Sequence, residues 1–137
     1  MKINSVYIVD DDSITIFGLR KLLTKYSTAL KVEEFRNGRQ ALDAILNLVN
    51  KDIPLPEVIF LDINMPVMDG WAFLDEFLKL PRTSNVHIKI ITSSIDFRDR
   101  EKWQSYVQKT GHRIDFITKP IYELNLEDVT RNMDLAS

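Results

Sequence analysis

The sequence contains no cysteine, so neither a disulfide framework nor a thiolate metal site is possible. It has no internal repeat and no low-complexity tract, and no apolar run approaches the length of a membrane span. The first residues contain no signal-peptide core, because their short apolar run ends in three aspartates. The formal net charge of −2 removes the broad basic surface typical of a nucleic-acid binder. These absences predict a soluble cytoplasmic protein that binds neither membrane nor nucleic acid directly.

The length and the amino-acid composition are typical of one globular domain. A length of 137 residues leaves no room for a second domain of ordinary size, so residues 1–137 are interpreted as a single domain. The hydrophobic fraction of 45% and the charged fraction of 28% are enough to build a buried core with a charged surface.

Two kinds of apolar segment alternate along the chain. Short runs rich in β-branched residues predict strands at 6–9, 32–35, 58–61, 88–91 and 114–117. Longer segments with helical spacing predict helices at about 13–26, 38–50, 70–80, 96–110 and 122–133. The pattern indicates an α/β fold of the (βα)5 type, a doubly wound sandwich around a five-stranded parallel sheet with right-handed crossovers.

The character of the strands suggests their order. The first and third runs lack polar alternation, which suits central strands covered on both faces, whereas the run at 32–35 is more polar and is expected at an edge. The common flavodoxin-like order 2-1-3-4-5 satisfies both conditions. Ligands of such sheets bind outside the carboxyl ends of the strands, so the residues that follow each strand are the candidates for function.

Local signals mark several helix ends. Asp69-Gly70 is expected to open the third helix, and Pro66 is expected to make the preceding turn rigid. Asp96 is predicted to be the N-cap of the fourth helix, and Gly111 the residue just after its end.

Acids, a hydroxyl and an amine follow four of the predicted strands. They are Asp10, Asp11 and Asp12 after the first strand, Asp62 after the third, Thr92 after the fourth and Lys119 after the fifth. In isolation each feature is more often a solvated turn, a cap or a loop residue. Their joint placement is specific, because the predicted strand order brings them to one edge of the sheet.

Converging carboxylates have a chemical consequence. They repel one another, and a hard divalent cation such as Mg²⁺ resolves the conflict with oxygen ligands and retained waters. A carboxylate beside such a cation can attack phosphorus and form an acyl phosphate. The transferred group needs positive charge and donors aimed at its oxygens, and Mg²⁺, Lys119 and the Thr92 hydroxyl fit these tasks.

Taken together, these motifs resemble the receiver domain of two-component response regulators, a chemotaxis-type phosphoacceptor fold. The resemblance covers the chain from Val6 to about Met133. It is carried by the pair Asp10-Asp11, Asp62 within LDINMPVMDG, Thr92 within IITSS and Lys119-Pro120 within FITKP.

The resemblance implies a phosphoryl and metal site. Asp62 is the expected phosphoacceptor. Asp11, Asp62 and the main-chain carbonyl of Asn64 are the expected direct ligands of Mg²⁺, while Asp10 acts mainly through water. Asp12 lies one residue past the acidic pair of the family and is interpreted as a helix cap.

The resemblance also implies a switch and its partners. Lys119 is expected to pair with the phosphoryl group or the acceptor carboxylate, Thr92 to be the switch hydroxyl, and Phe116 to replace a switch aromatic that is often tyrosine. The expected phosphodonor is a sensor histidine kinase or a histidine phosphotransfer protein. The expected output surface, which could also form a homodimer, comprises the fourth helix, the fifth strand and the fifth helix.

Two other interpretations compete with that of a receiver domain. A Mg²⁺-dependent phosphohydrolase with an aspartyl nucleophile normally places that residue after the first strand, with a second acid two residues later. Here Asp62 follows the third strand, Asn64 stands two residues later, and no insertion could form a cap over a substrate. A pseudo-receiver that serves only for docking would lack an acceptor or metal residue, and none is missing. No separate turnover substrate is therefore expected.

Overall fold

Strands and helices alternate along the chain as the hydrophobic pattern predicts. The structure, a computed structural model, describes residues 3–81, 84–119 and 121. Its elements are β1 (Ser5–Val9), α1 (Ser13–Tyr26), β2 (Lys31–Phe35), α2 (Gly38–Asn50), β3 (Val58–Leu61), α3 (Gly70–Phe77), β4 (His87–Thr92), α4 (Phe97–Val107) and β5 (Arg113–Thr118). The predicted helix at 122–133 lies outside the described residues. Within the described part of the chain, no helix has the length and apolarity needed to cross a membrane.

The five strands form one parallel sheet in the order β2-β1-β3-β4-β5, which confirms the predicted order. The register aligns the ends of the central strands. Val9 pairs with Phe35 on one side and with Leu61 on the other, and Ile90 pairs with both Leu61 and Phe116. The residues that follow β1 and β3 are therefore direct neighbours.

The burial of the strands agrees with their positions in the sheet. All residues of β3 and β4 are buried, whereas the residues of β2 are exposed or half-buried, as expected for a polar edge strand. Apolar side chains cover both faces of the sheet in two clusters, one of which packs against α2 and α3 and the other against α1. This double cover makes the sheet a rigid base for the loops at its carboxyl edge.

The start of each described helix is capped by a polar side chain. Asp12, Asn37, Asp69 and Asp96 accept hydrogen bonds from main-chain amides in the first turns of α1, α2, α3 and α4. The caps predicted at Asp12 and Asp96 and the helix start predicted at Asp69 are confirmed.

The end predicted for α4 is wrong. The helix stops at Val107 with Gln108 as its C-cap, so Gly111 lies beyond the position just after the helix. The reason is tertiary. The chain must turn early so that the Nδ1 atom of His112 accepts a hydrogen bond from the amide of Val86 at 2.9 Å, immediately before β5 begins.

A buried polar cluster joins β4 to β5. The Nε2 atom of His87 lies 2.7 Å from Oδ2 of Asp115, and Nζ of Lys89 lies 3.3 Å from the same oxygen. Burial lowers the pKa of His87 below its ordinary value. His87 therefore has a structural role, since it pairs with Asp115 across two neighbouring strands of the sheet.

Gly70 lies close to the main chain of Asp62 and Ile63, and a substitution tests how tightly this segment is packed. A Cβ atom at Gly70 would lie 2.3 Å from the main-chain oxygen of Asp62, whereas one at Gly18 would have no atom within 4 Å. We expect Gly70→Ala to lower the free energy of unfolding by about 2–3 kcal/mol through overpacking. The control Gly18→Ala, inside α1, should raise it by about 0.5–1 kcal/mol. Urea denaturation measures both, and equal stabilities of the two variants would contradict the close approach.

Candidate functional site

Three aspartates converge at the carboxyl edge of the sheet. Asp10 and Asp11 follow β1 and Asp62 follows β3, and one carboxylate oxygen of each lies within 4.8 Å of the others. The pairing of the strands causes this convergence, since the amide of Asp62 donates to the carbonyl of Val9 at 2.9 Å. Asp10 and Asp62 are buried, with exposures of 2% and 5%, whereas Asp11 is exposed. The cluster is therefore closed on the side of the sheet and open to solvent at Asp11.

Lys119 brings the positive charge of the site from the end of β5. Its Nζ atom lies 3.0 Å from Oδ2 of Asp10 and 3.8 Å from Oδ2 of Asp62. Its amide donates to the carbonyl of Thr92 at 2.7 Å, which fixes the main chain of Lys119 beside β4. One ammonium group faces three carboxyl groups, so the site retains an excess of negative charge when all of them are ionised.

The two buried acids, Asp10 and Asp62, both have raised pKa values. Burial, and next the charge of Asp10, raise the pKa of Asp62 to about 6, although Lys119 acts in the opposite direction. Burial also raises the pKa of Asp10, against the hydrogen bond from the Asp12 amide and the contact with Lys119. Carboxylate oxygens with unbalanced charge and an open side are the donor set that a hard divalent cation prefers. The residues present therefore fit Mg²⁺.

Asp12 belongs to the helix rather than to the acidic cluster. Its Oδ1 atom accepts from the amide of Ile14 at 3.1 Å, and its Oδ2 atom accepts from the hydroxyl of Thr15 at 2.8 Å. These bonds use both carboxylate oxygens, and they lower the pKa of Asp12. The interpretation of Asp12 as a cap is confirmed.

The loop after Asp62 has a fixed shape. The amide of Met68 donates to the carbonyl of Pro66 at 2.8 Å around Val67, whose φ is 68°. The amide of Gly70 then donates to the carbonyl of Ile63 at 2.8 Å and closes the loop. Asn64 lies inside this loop with an exposed side chain, so it is held near Asp62 by the main chain alone.

Thr92 ends β4 and is completely buried. Its Oγ1 atom accepts a hydrogen bond from the amide of Ser94 at 3.1 Å. The Ser94 hydroxyl in turn donates to Asp99 in the first turn of α4. The sequence analysis did not identify the pairing of Ser94 with Asp99, because no spacing rule predicts it.

Phe116 lies apart from the acidic cluster, on the face of β5 that packs against α4. Its ring is half-buried, 5.7 Å from the ring of Trp103 and 5.0 Å from the guanidinium of Arg100. The sequence placed Phe116 on the fifth strand, as observed, but did not predict its neighbour Arg100.

Comparison with known proteins identifies the family. The model of the response regulator receiver domain matches residues 6–131. A protein-glutamate methylesterase/protein-glutamine glutaminase of Archaeoglobus fulgidus is 34% identical over 115 residues, which are 84% of this chain and 29% of the relative. The sensor histidine kinase CheAY of Helicobacter pylori is 30% identical over 115 residues, 84% of this chain and 13% of the relative. The chain thus spans less than a third of the length of either relative.

Solved structures share the fold. A two-component response regulator from Cytophaga hutchinsonii matches with a TM-score of 0.79 and 24% identity, over 98% of this chain and 99% of that one. The receiver domain of a histidine kinase from Syntrophus aciditrophicus matches with a TM-score of 0.74 and 26% identity, over 96% and 90%. The Mn²⁺-bound form of the response regulator Rcp1 matches with a TM-score of 0.69 and 24% identity, over 95% and 88%.

These findings agree with the strand order, and they do not favour the phosphohydrolase alternative. Some relatives are named as methylesterases/glutaminases, but the family match in this chain is to a signalling domain. The chain belongs to the response regulator receiver domain family and is a phosphoacceptor signalling switch of two-component phosphorelays.

Proposed function

We propose that this chain accepts a phosphoryl group on the carboxylate of Asp62. In this proposal Asp11, Asp62 and the main-chain carbonyl of Asn64 hold Mg²⁺ directly, and Asp10 acts through water. The observation that supports it is the placement of Lys119 against two buried carboxylates of a cluster that keeps an excess of negative charge. Such a cluster is costly in an empty site and favourable around a divalent cation.

The chemistry requires one nucleophile and several positive groups. An ionised oxygen of Asp62 attacks phosphorus, and the bond from phosphorus to the donor breaks with its electron pair leaving on the donor. The product is an acyl phosphate, and water later attacks phosphorus to restore the carboxylate and release inorganic phosphate. Mg²⁺, when bound, supplies charge that offsets the phosphoryl oxygens. Lys119 supplies a further positive charge, already fixed beside Asp62.

Thr92 is the proposed link between the acceptor and the output surface. Its hydroxyl oxygen accepts from the amide of Ser94 in the structure, and its O–H can donate to a phosphoryl oxygen once the loop after β4 moves inward. Phe116 is the proposed aromatic that responds. The surface of α4 and β5 is suited to such movement, because Tyr106 is the only buried residue of α4 and Phe97 is 67% exposed.

The proposed donor is a sensor histidine kinase or a histidine phosphotransfer protein in the cytoplasm. The family supports this class of partner, and the name of the relative CheAY describes a sensor histidine kinase. We further propose that residues 1–137 act as one receiver domain, and that α4 and β5 contribute to the surface for a downstream protein or a second copy of the chain.

The acceptor assignment is tested by intact mass. After incubation with Mg²⁺ and a small phosphodonor such as phosphoramidate, the parent chain should gain one phosphoryl group. Asp62→Asn should gain none, because the amide cannot form the acyl phosphate. Asp12→Asn is the matched control, since asparagine also caps helices, and it should gain the group like the parent. Equal modification of Asp62→Asn and the parent would refute the assignment.

The metal assignment predicts a difference between neighbouring acids. Asp11→Asn should weaken Mg²⁺ binding about tenfold or more and slow phosphorylation, because it removes a charged ligand. Asp12→Asn should leave the affinity within about twofold, because Asp12 is used by the helix cap. Titration of amide chemical shifts with Mg²⁺ measures both affinities. A large loss of Mg²⁺ affinity in Asp12→Asn and none in Asp11→Asn would shift the metal-ligand assignment from Asp11 to Asp12.

The raised pKa of Asp62 predicts a dependence of stability on pH. An acid whose pKa is higher in the folded chain stabilises it fully below its unfolded pKa, and this stabilisation is lost as pH rises through the folded value. In the absence of divalent cations the parent should therefore lose stability between about pH 4 and pH 6. Asp62→Asn should be more stable than the parent at pH 7, by an amount on the order of 3 kcal/mol at most.

Thermal unfolding with and without Mg²⁺ checks this prediction. Binding to the folded state should raise the melting temperature of the parent more than that of Asp62→Asn, since the variant has lost a ligand. A parent that is more stable than Asp62→Asn at pH 7 without divalent cations would contradict the electrostatic account of the site.

A further inference from the structure

The loop between β4 and α4 is tied to the helix by Ser94. The Ser94 hydroxyl donates to the carboxylate of Asp99 and accepts from the amide of Asp96 at 3.3 Å. The Ser94 amide donates to Oγ1 of Thr92 at 3.1 Å. The buried hydroxyl of Thr92 is therefore connected through one residue to the first turn of α4.

Phe116 is tied to the same part of α4. The centroid of its ring lies 5.0 Å from the guanidinium of Arg100 and 5.7 Å from the ring of Trp103. The indole Nε1 of Trp103 donates to the carbonyl of Ile114 at 2.8 Å and fixes the helix against β5. Within the part of the chain that the structure describes, Arg100 forms no ion pair, so its contact with Phe116 is the interaction that positions its guanidinium.

The space around these contacts allows rearrangement. A cavity of about 250 Å³ lies between the loop and β5, and its lining includes Ser94, Phe97, Arg100 and Phe116. Arg100 and Phe97 are exposed, so a change in their positions disturbs no core contact. The exposed side chains at the start of α4 can therefore shift, and the half-buried ring of Phe116, which packs against the core on one side, has open space beside it.

We propose that Asp99 and Arg100 form a latch that holds the loop and Phe116 in the arrangement described here. The inference rests on the proposed function, since the latch opens when the Thr92 hydroxyl turns toward a phosphoryl group on Asp62. Because a hydroxyl can donate and accept at the same time, the Ser94 amide stays bonded to Oγ1 of Thr92, and Ser94 moves with Thr92 away from Asp99. Asp99 and Arg100 are positioning residues, because they act through Ser94 and Phe116 and touch no reacting atom.

The latch has a measurable consequence for ligand affinity. A ligand that binds only the switched form has an apparent Kd that falls as that form becomes more populated. Loss of a cation–π contact at an exposed site changes such an equilibrium by roughly two- to fivefold, and loss of a charge-assisted hydrogen bond by a similar factor or more. Both contacts belong to the arrangement of the loop and Phe116 described here, so losing either contact destabilises that arrangement and leaves the switched form unchanged.

Beryllium fluoride with Mg²⁺, a stable mimic of the phosphoryl group, provides the test. The full chain is titrated, and the indole N–H signal of Trp103 reports switching, with its assignment taken from Trp71→Phe. Asp99→Asn and Arg100→Gln should each lower the apparent Kd about two- to fivefold. Without the mimic, their Trp103 signals should lie part of the way toward the bound position. Glu101→Gln, on the same turn of α4, is the control and should match the parent.

The outcomes separate the latch from the acceptor function. If the parent binds the mimic but both variants bind with an unchanged or higher apparent Kd, the latch is overturned and the acceptor role of Asp62 stands. If the parent neither binds the mimic nor accepts a phosphoryl group, the proposed function fails, and the latch fails with it. A shift of the Trp103 signal in Glu101→Gln equal to that in Arg100→Gln would also overturn the latch, because it would show a general effect of charge.

Discussion

The buried carboxylates of Asp10 and Asp62, held side by side against Lys119, are the constraint on which the rest of the site depends. The parallel pairing of β1 with β3 forces the two acids together, and β5 brings the ammonium group to them. A single ammonium cannot balance the cluster, so the site keeps a demand for further positive charge. That demand suits a divalent cation, and in the proposed function the cation and Lys119 together offset the negative charge of the phosphoryl group.

The surrounding structure prevents the carboxylates from moving apart. The sheet beneath them is covered on both faces, and the loop after Asp62 is closed by the bond from Gly70 to Ile63. The start of α3 lies so close to the carbonyl of Asp62 that no side chain fits at position 70. The carboxylate of Asp62 therefore stays buried and close to Asp10, and burial first, with repulsion by Asp10 second, raises its pKa.

The helix α4, by contrast, is held by few strong contacts. Its exposed first turn is held by side-chain contacts of modest strength, through Ser94 to Asp99 and through Arg100 to Phe116. A rigid acceptor beside a weakly held helix is a suitable arrangement for a switch, because a small change of charge at the edge of the sheet can shift the weaker element. In the proposed function, the carboxyl edge of the sheet carries the chemistry and the exposed start of α4 is the part that responds.

The sequence by itself determined the strands, the described helices to within a few residues, the sheet order and the convergence of Asp10, Asp11 and Asp62. It could do so because hydrophobic periodicity, helix caps and the residues at strand ends are local signals. The tertiary structure alone decided the end of α4, which stops at Val107 because the chain must turn to reach β5, and not at the position that Gly111 indicates. It also decided the neighbours of Phe116 and the pairing of Ser94 with Asp99, since contacts between a loop, a helix and a strand depend on packing that no sequence period encodes.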